Sequence, residues 1–350
     1  MKIAIITDLH WGVRNNSQFF IDKQEDFLYN QFIPYLIEHK IDTIWMLGDF
    51  FENRKMISTQ VLNKAHQFLQ KLEDIDIRSY FLIGNHDVAF KNTNTVNSLV
   101  PVTKAFEKIH LIEKYEVIDF DGLSVGFISW ISPEIYSEAL KWIMSLDAKV
   151  LCGHFEINSF EIIKGVVCSK GIDSTIFERF DKVFSGHFHI RATNGTIQYI
   201  GNPYQTNWGE YGYPKGFAVF DTRSKSIEFI DNTISSYEIL QYDDDIEIGL
   251  FDRERFAGKI VRVIVDVCKN KKKLEVLLDS IGQVSYSLDV IENKEVVVSD
   301  DNQEAIPSDT IQLIQQFLET CKIDHLDKKQ LIEIILGIYS EAVEKGVSEC

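Results

Sequence analysis

One local pattern occurs five times in this chain and limits what the chain can fold into: a short apolar segment that ends in aspartate, asparagine or histidine. Apolar segments of this kind are typical of buried strands, and helix-periodic segments at 18–39 and 58–73 separate the first three. Strands that alternate with helices predict a largely parallel sheet, in which ligand-binding groups gather beyond the carboxyl ends of the strands. The polar side chains at the five strand ends are Asp8 with His10, Asp49, Asn85 with His86 and Asp87, His154, and His187 with His189.

The middle of the chain predicts further strands. Residues 115–120 and 123–128 flank Asp121-Gly122, which predicts a hairpin with a tight turn. We predict a second, antiparallel sheet from three later apolar or alternating runs, at 196–200, 216–220 and 226–230.

The character of the sequence changes near residue 232. We predict a small α+β module after this point. Its elements are a strand at 259–268, a short helix at 273–281 and two strand-like runs within 284–299. Two amphipathic helices, over 309–321 and 328–345, follow it. We therefore predict a main α/β domain, a small capping domain and a helical C-terminal segment, with the bounds 1–232, 233–305 and 306–350.

Composition excludes some classes of protein. The net charge of −17 argues against a simple electrostatic DNA binder, although metal ions and a partner subunit can supply positive charge to a nuclease. No apolar run is long enough to cross a bilayer, and the start of the chain matches a first strand rather than a signal peptide, so we expect a cytoplasmic protein without membrane contact. The five cysteines form no CxxC pair, which argues against a disulfide framework and a zinc knuckle.

The residue types at the strand ends predict a metal centre. Nitrogen and oxygen donors without thiolate suit manganese, iron or zinc rather than calcium. Asp8 and His10 are two positions apart, so they point the same way if strand geometry persists. Seven ligands suffice for two ions if one carboxylate bridges, and Asp49 is the natural bridge. Two metal ions about 3.5–4 Å apart are a common apparatus for phosphoester hydrolysis.

Each strand end taken alone has a simpler structural interpretation. A Gly-His pair is usually a turn with a polar cap, and an aspartate after a strand often caps the next helix. The recurrence of the pattern after five apolar strands argues against coincidence. The remaining histidines, which are His39, His66, His110 and His325, lack this context.

The order Asp-x-His, Gly-Asp, Gly-Asn-His-Asp, Gly-His, Gly-His-x-His resembles that of the calcineurin-like metallophosphoesterases, over residues 1 to about 230. The segments Asp8–Gly12, Gly48–Phe51 and Tyr199–Gln205 are similar to those of SbcD-type DNA-repair nucleases. The compact region from His154 to His187 resembles the versions found in large tailed phages. The resemblance implies a four-layer α/β/β/α sandwich with a small capping domain and a C-terminal segment that binds a partner.

The resemblance also implies a role for each site residue. One metal ion, usually manganese in this family, would be held by Asp8, His10, Asp49 and His189, and the other by Asp49, Asn85, His154 and His187. His86 would be the catalytic histidine that protonates or stabilises the leaving oxygen, and Asp87 would orient it. Some members carry a histidine where this chain has Glu52, and an ionised carboxylate there cannot donate a hydrogen bond to phosphate.

We therefore predict a manganese-dependent DNA exonuclease or endonuclease, the catalytic subunit of a nuclease–ATPase complex in recombination and double-strand-break repair. The resemblance implies double-stranded ends and single strands as substrates, an SbcC-type SMC-like ATPase as partner through residues 306–350, and a homodimer. Two alternatives stay open: a stand-alone phosphatase or cyclic-nucleotide phosphodiesterase, and an inactive scaffold. The extension after residue 230 favours the nuclease over the phosphatase, and the complete ligand set argues against the scaffold.

Overall fold

The computed structural model describes residues 1–163, 166–247 and 251–292. The predicted helices within 306–350, and the part of the predicted capping domain after residue 292, lie outside the described residues. The predicted domain boundaries stay predictions. Among the described residues, no helix combines the length and the apolar character that a membrane crossing requires.

The first of two large sheets contains six strands. From one edge to the other these are β16 (Ile227–Asp231), β15 (Gly216–Asp221), β1 (Lys2–Ile6), β2 (Thr43–Met46), β3 (Arg78–Leu82) and β6 (Ile109–Ile112). Strands β1, β2, β3 and β6 run parallel, whereas β15 lies antiparallel to β1 and β16 antiparallel to β15. The parallel part of this sheet agrees with the predicted alternation of strands and helices.

The second large sheet also contains six strands. Their spatial order is β13 (Ala192–Thr193), β14 (Ile197–Tyr199), β12 (Lys182–Gly186), β9 (Val150–His154), β8 (Leu123–Ile128) and β7 (Tyr115–Phe120). Strands β8, β9, β12 and β14 are parallel, and β7 and β8 form the predicted hairpin around Asp121-Gly122.

The two sheets pack face to face. Because side chains alternate across a strand, Ile3 and Ile5 of β1 face the second sheet and meet an aromatic cluster that includes Trp45, Phe127 and Phe184. All five side chains are fully buried. This apolar layer holds the two sheets in one fixed position relative to each other.

Helices cover the outer faces of both sheets. Ala4 and Ile6, the alternate residues of β1, pack in the core beneath the helices of the first sheet. These helices are Gln18–Phe27, continued by a π-helical turn at Leu28–Phe32 into Ile33–Glu38, and Thr59–Asp74. The second sheet is covered by helix Tyr136–Ser145 through Ala139 and Ile143. The predicted four-layer α/β/β/α sandwich is confirmed.

One prediction about the sheets is wrong. The runs at 196–200, 216–220 and 226–230 do not form a separate antiparallel sheet: β14 joins the second sheet parallel to β12, and β15 and β16 join the first. Phe217 packs on one face of β15 and Phe220 on the other, so this strand is buried inside the sandwich. Local periodicity identifies a strand but not its partner, because pairing depends on contacts between distant parts of the chain.

A third, smaller sheet follows the sandwich. Its strands β17 (Tyr237–Tyr242), β18 (Ile260–Val265) and β19 (Ser287–Glu292) are all parallel, and helix Lys271–Gly282 packs on them. Tyr237 also joins a small apolar cluster with Phe19 and Phe20 of the first helix. The shorter elements are hairpins β4 (Val88–Phe90) with β5 (Thr93–Asn97) and β10 (Glu161–Ile163) with β11 (Val166–Val167), helix Leu99–Thr103, a turn at Val13–Asn16, and 3₁₀ turns at Ser174–Phe177, Trp208–Glu210 and Arg253–Phe256.

Candidate dinuclear metal centre

The carboxyl ends of strands from both sheets meet at one place. In the first sheet these are the ends of β1, β2 and β3, and in the second the ends of β9 and β12. Two hydrogen-bonding contacts join the sheets there: His154 Nδ1 lies 2.7 Å from the Leu47 carbonyl oxygen, and the His187 backbone N–H donates to Asp8 Oδ1 at 3.1 Å. The predicted site residues of the first sheet and those of the second sheet therefore lie in one site.

The backbone at the site adopts an unusual conformation. Asp8, His10, Asp49 and His187 have φ values of 54°, 47°, 51° and 86°. Residues other than glycine rarely adopt this left-handed region, and such strain clusters at functional sites. Hydrogen bonds of 3.0 Å from the backbone N–H groups of Asp8 and His10 to the carbonyl oxygens of Gly48 and Asp49 hold the loops in place.

Two glycines of the motifs allow these loops to approach each other. A Cβ atom added at Gly84 would collide with the backbone nitrogen and Oδ1 of Asp49. Gly48 has a φ of 95°, and a Cβ atom there would lie 2.5 Å from His154 Nδ1. The glycines are therefore required for the close packing of strand ends.

The first group of candidate ligands contains Asp8, His10 and His189, whose ligand atoms all lie within 4.8 Å of one another. The Nε2 atoms of His10 and His189 are 3.0 Å apart. His10 Nε2 also lies 3.7 Å from Asp49 Oδ2 and 3.9 Å from Asp8 Oδ1. These four side chains are those predicted for one metal ion.

The second group contains Asp49, His154 and His187, again within 4.8 Å of one another. The Oδ1 atom of Asn85 lies 2.9 Å from His154 Nε2 and 2.7 Å from His187 Nδ1. Asp49 Oδ2 is 3.3 Å from His154 Nε2, so the same oxygen borders both groups. Asp49 thus lies where a bridging carboxylate is predicted.

The orientation of the first two histidines fits a cation. Glu52 Oε2 lies 2.6 Å from His10 Nδ1, and Glu210 Oε1 lies 2.8 Å from His189 Nδ1. Because an ionised carboxylate only accepts, a neutral His189 ring carries its hydrogen on Nδ1 and its lone pair on Nε2, and the nearby charge of Glu52 favours the same arrangement in His10. Two such lone pairs 3.0 Å apart repel each other unless a cation or a proton lies between them.

The pKa shifts of the clustered side chains also indicate a cation-binding site. Burial alone would lower the pKa of His10, but Glu52, Asp49 and Asp8 outweigh it and raise the pKa to about 10. Burial would likewise lower the pKa of His154, which Asp49 and Asp8 raise to about 9. Burial would raise the pKa of Asp49, but His154 and its neighbours hold it well below the usual range. The cluster stabilises positive charge, as a binding site for divalent cations must.

His86 lies beside both ligand groups. Its ring meets the His10 ring edge-on with centroids 4.9 Å apart, and its backbone N–H donates to Asp49 Oδ1 at 2.7 Å. Its Nδ1 atom lies 2.8 Å from the Glu52 carbonyl oxygen. This backbone carbonyl sets the orientation of the ring.

Asp87 occupies a different position from the one expected. Its carboxylate accepts hydrogen bonds from the backbone N–H groups of Phe50, Phe51 and Gly84 at 3.0, 3.0 and 2.8 Å. Burial and the nearby Asp49 raise the pKa of Asp87 to about 7, although these three donors oppose the shift. Asp87 ties two strand-end loops together and does not hold the His86 ring.

Two buried charged residues behind the site were not predicted. Glu210 accepts hydrogen bonds from the Thr206 N–H and hydroxyl, both at 2.8 Å, and Lys215 Nζ lies 3.3 Å from its Oε2. Lys215 also donates to the His189 carbonyl oxygen at 2.8 Å. The segment that carries this pair has no helical or strand periodicity, so no sequence signal marked it.

A cavity of about 710 Å³ opens onto the cluster. Its lining includes apolar and aromatic residues such as Trp130, Ile131 and Phe155, and it also includes His86 and the candidate ligands Asp49, Asn85, His154, His187 and His189. Arg54, Lys91 and Lys170 add positive charge. An anionic substrate can therefore reach the metal centre beside an apolar surface.

Comparison with known proteins agrees with this geometry. The calcineurin-like phosphoesterase family matches residues 1–191. Exonuclease subunit 1 of Enterobacteria phage T4 is 30% identical over 347 residues, which are 98% of this chain and 100% of that protein.

Two more distant relatives are similar over most of the chain. The DNA double-strand break repair protein Mre11 of Methanocaldococcus jannaschii is 22% identical, over 77% of this chain and 75% of that protein. The SbcD component of the nuclease SbcCD of Staphylococcus saprophyticus is 22% identical, over 71% of this chain and 74% of that protein. The chain therefore belongs to the calcineurin-like phosphoesterase family, whose members hydrolyse phosphoester bonds.

Proposed function

We propose that this protein is a metal-dependent DNA nuclease that hydrolyses phosphodiester bonds with two divalent metal ions, manganese being the ion it uses. The observation that carries the proposal is the pair of ligand groups that lie on either side of Asp49, beside His86, where an open cavity meets the cluster. The similarity to a phage exonuclease over nearly the whole chain supports DNA as the substrate.

The side chains of the centre divide into two sets in this proposal. Asp8, His10, Asp49 and His189 hold one ion, and Asp49 with Asn85, His154 and His187 holds the other. When bound, the two ions supply Lewis-acid stabilisation of the phosphate and lower the pKa of water. Hydrogen bonds between the two sheets help to position both sets: His154 Nδ1 lies beside the Leu47 carbonyl oxygen, and the His187 N–H donates to Asp8.

His86 acts on the leaving oxygen. A carbonyl only accepts hydrogen bonds, so the Glu52 carbonyl holds the hydrogen of the His86 ring on Nδ1. A second proton on Nε2 makes this atom the donor to the leaving oxygen. Burial, despite the opposing charge of Asp49, lowers the pKa of His86, so the ring is mostly neutral near pH 7 and its protonated form, the minor one, is the stronger acid.

The test is hydrolysis by the purified chain with manganese, comparing linear duplex DNA, single-stranded DNA and bis(4-nitrophenyl) phosphate. Asn85→Ala, which removes one candidate ligand, is the control. Manganese-dependent DNA degradation that the control lacks is the expected result. Turnover of the small ester with DNA untouched, even after an SbcC-type ATPase is added, would contradict the nuclease proposal and favour a stand-alone phosphatase or phosphodiesterase.

We also propose that residues 306–350 dock on an SMC-like ATPase and that the protein works as a homodimer in the cytoplasm. The amphipathic pattern of 309–321 and 328–345 supports docking, as does the similarity to one component of a two-part nuclease. A chain that ends at residue 306 should lose binding to an SbcC-type ATPase but keep manganese binding. Unchanged ATPase binding would contradict the docking proposal, and light scattering of the full chain tests the dimer.

A further inference from the structure

An ionised Glu52 carboxylate cannot donate a hydrogen bond to a phosphate in the cavity. Its carboxylate lies 2.6 Å from His10 Nδ1 and is only 9% exposed, so it faces the metal ligand. Its backbone carbonyl holds His86. A cationic contact to a phosphate beside His86 must therefore come from another residue of the cavity, of which Arg54, Lys91 and Lys170 are the candidates.

Arg54, two positions further along, lies in the wall of the cavity with Asp49, Asn85 and His86. Its Nε and Nη1 atoms are shielded from water and have no hydrogen-bond partner in the described part of the chain. Buried donors are nearly always paired in folded proteins, and an unpaired charged donor costs free energy. The other cationic residues of the cavity, Lys91 and Lys170, are exposed, so water can solvate them.

The charge and shape of the Arg54 guanidinium indicate that its ligand is a phosphate. Arginine stays charged in proteins and presents its N–H groups as a planar fork that matches two oxygens of a phosphate. Burial lowers the pKa of Arg54, and the charges of Asp49, Asp87 and Glu52 oppose that shift. Because Nε and Nη1 are shielded, the Arg54 side chain has to turn toward the cavity before they can donate to a phosphate, and a bound phosphate would then give these donors a partner.

We propose that Arg54 binds the scissile phosphate: its guanidinium turns toward the cavity and donates to the non-bridging oxygens beside His86. The inference rests on the proposed function, because it names the residue that recognises the substrate at that same site. The bond broken and the proton moved are those assigned above, and Arg54 adds charge stabilisation without giving up a proton.

The experiment compares Arg54→Ala with Lys55→Ala, which removes the same charge from the exposed neighbouring position. Binding of inorganic phosphate to the manganese-loaded protein is measured by calorimetry, together with hydrolysis of bis(4-nitrophenyl) phosphate and metal content by mass spectrometry. Arg54→Ala should weaken phosphate binding and lower kcat/KM roughly 10- to 100-fold, as the loss of a charged hydrogen bond does, with metal content unchanged. Lys55→Ala should stay within about twofold of wild type in both measurements.

Phosphate binding by Arg54→Ala at the wild-type level, with unchanged metal content, would overturn the proposal. If Arg54→Ala does not fold by circular dichroism, Arg54→Lys decides: it keeps the charge but lacks the fork, so unchanged phosphate affinity would also overturn it. Wild-type protein that binds phosphate through Arg54 but cleaves no DNA would refute the nuclease function and leave the Arg54 contact standing.

Discussion

In the first ligand group a glutamate lies behind each histidine, whereas in the second group a backbone carbonyl lies behind His154. Glu52 backs His10 and Glu210 backs His189, whereas His154 is backed by the carbonyl of Leu47. A carboxylate behind a histidine raises the basicity of the nitrogen that faces the metal ion. The two candidate metal sites are therefore chemically unequal.

The first prediction follows from this inequality. Glu52→Gln keeps the size of the side chain but removes its charge, so manganese affinity at the Asp8–His10–His189 group should fall roughly 10-fold while the other group is less affected. Calorimetric titration of the metal-free protein should resolve one weakened and one nearly unchanged binding step. The exposed Glu178→Gln is the matched control, and equal weakening in both variants would contradict the prediction.

The second prediction separates chemistry from metal binding at His86. His86→Gln should keep its bound manganese but lower kcat on the small diester by about 10²- to 10⁴-fold, the usual contribution of a general acid. His66→Gln, at an exposed position, should leave kcat unchanged. Metal content by mass spectrometry accompanies both measurements, and unreduced kcat in His86→Gln would show that the assigned role is wrong.

At the scale of secondary-structure elements, the loops after β2 and β3 depend on one carboxylate. Asp87 accepts from the N–H groups of Phe50 and Phe51 in one loop and of Gly84 in the other. The family resemblance implied that Asp87 orients His86, but the contacts of its carboxylate are with the backbone of these two loops, which it ties together. The loops, and with them Asp49 and Asn85, are positioned by this tie.

The third prediction tests that tie. Asp87→Ala leaves three buried N–H donors without their acceptor, so the free energy of unfolding should fall by at least about 3 kcal/mol. Asp87→Asn keeps one carbonyl acceptor and should cost less. Urea denaturation in a chelator measures both. An Asp87→Ala protein with wild-type stability but poor turnover would instead assign Asp87 directly to catalysis.

The fourth prediction concerns the loop that carries Glu210. Burial alone would raise the pKa of Glu210, but Lys215 and His189 outweigh burial and hold the pKa well below its ordinary 4.5. Because the folded state lowers this pKa, the stabilisation is fully present above about pH 4.5 and is lost as the pH falls towards the folded value.

The measurement compares wild type with Glu210→Gln in urea at several pH values, in a chelator. The difference in unfolding free energy should be constant between about pH 8 and pH 5 and should shrink below about pH 4.5. A difference that grows on acidification would show that Glu210 is not stabilised as an anion.

At the scale of the whole molecule, the proposed function requires a strongly acidic chain to bind a polyanion. The net charge of −17 repels DNA at a distance, while Arg54 and the predicted metal ions concentrate positive charge at one cavity. DNA binding should therefore depend on metal more than on surface lysines and arginines.

The fifth prediction makes this quantitative. Chelation should weaken the binding of labelled duplex DNA to His86→Gln, used to prevent cleavage, by at least about 10-fold, because few phosphates are then neutralised. The affinity should also depend only shallowly on salt. Fluorescence anisotropy with manganese and with chelator measures both, and tight binding that survives chelation would reveal a basic DNA-binding surface.

The family was predictable because its motifs are local, and the four-layer sandwich was implied by the resemblance to that family. Strands can be recognised from the periodicity of neighbouring residues, and the metal-donor atoms at the strand ends follow directly from the residue types. The structure brings Asp8, His10, Asp49, Asn85, His154, His187 and His189 together where the pattern places them. Their roles as ligands stay predictions that the metal titrations test.

Other features depend on residues far apart along the chain, and no local pattern encodes them. Which sheet β15 joins depends on its pairing with β1, from the opposite end of the domain. The carboxylates behind His10 and His189, the partners of Asp87 and the unpaired donors of Arg54 likewise exist only once separate loops pack together. Periodicity and residue type specify the strands and the donors, whereas the direction of each buried polar side chain follows from the groups that the completed fold places within hydrogen-bonding distance.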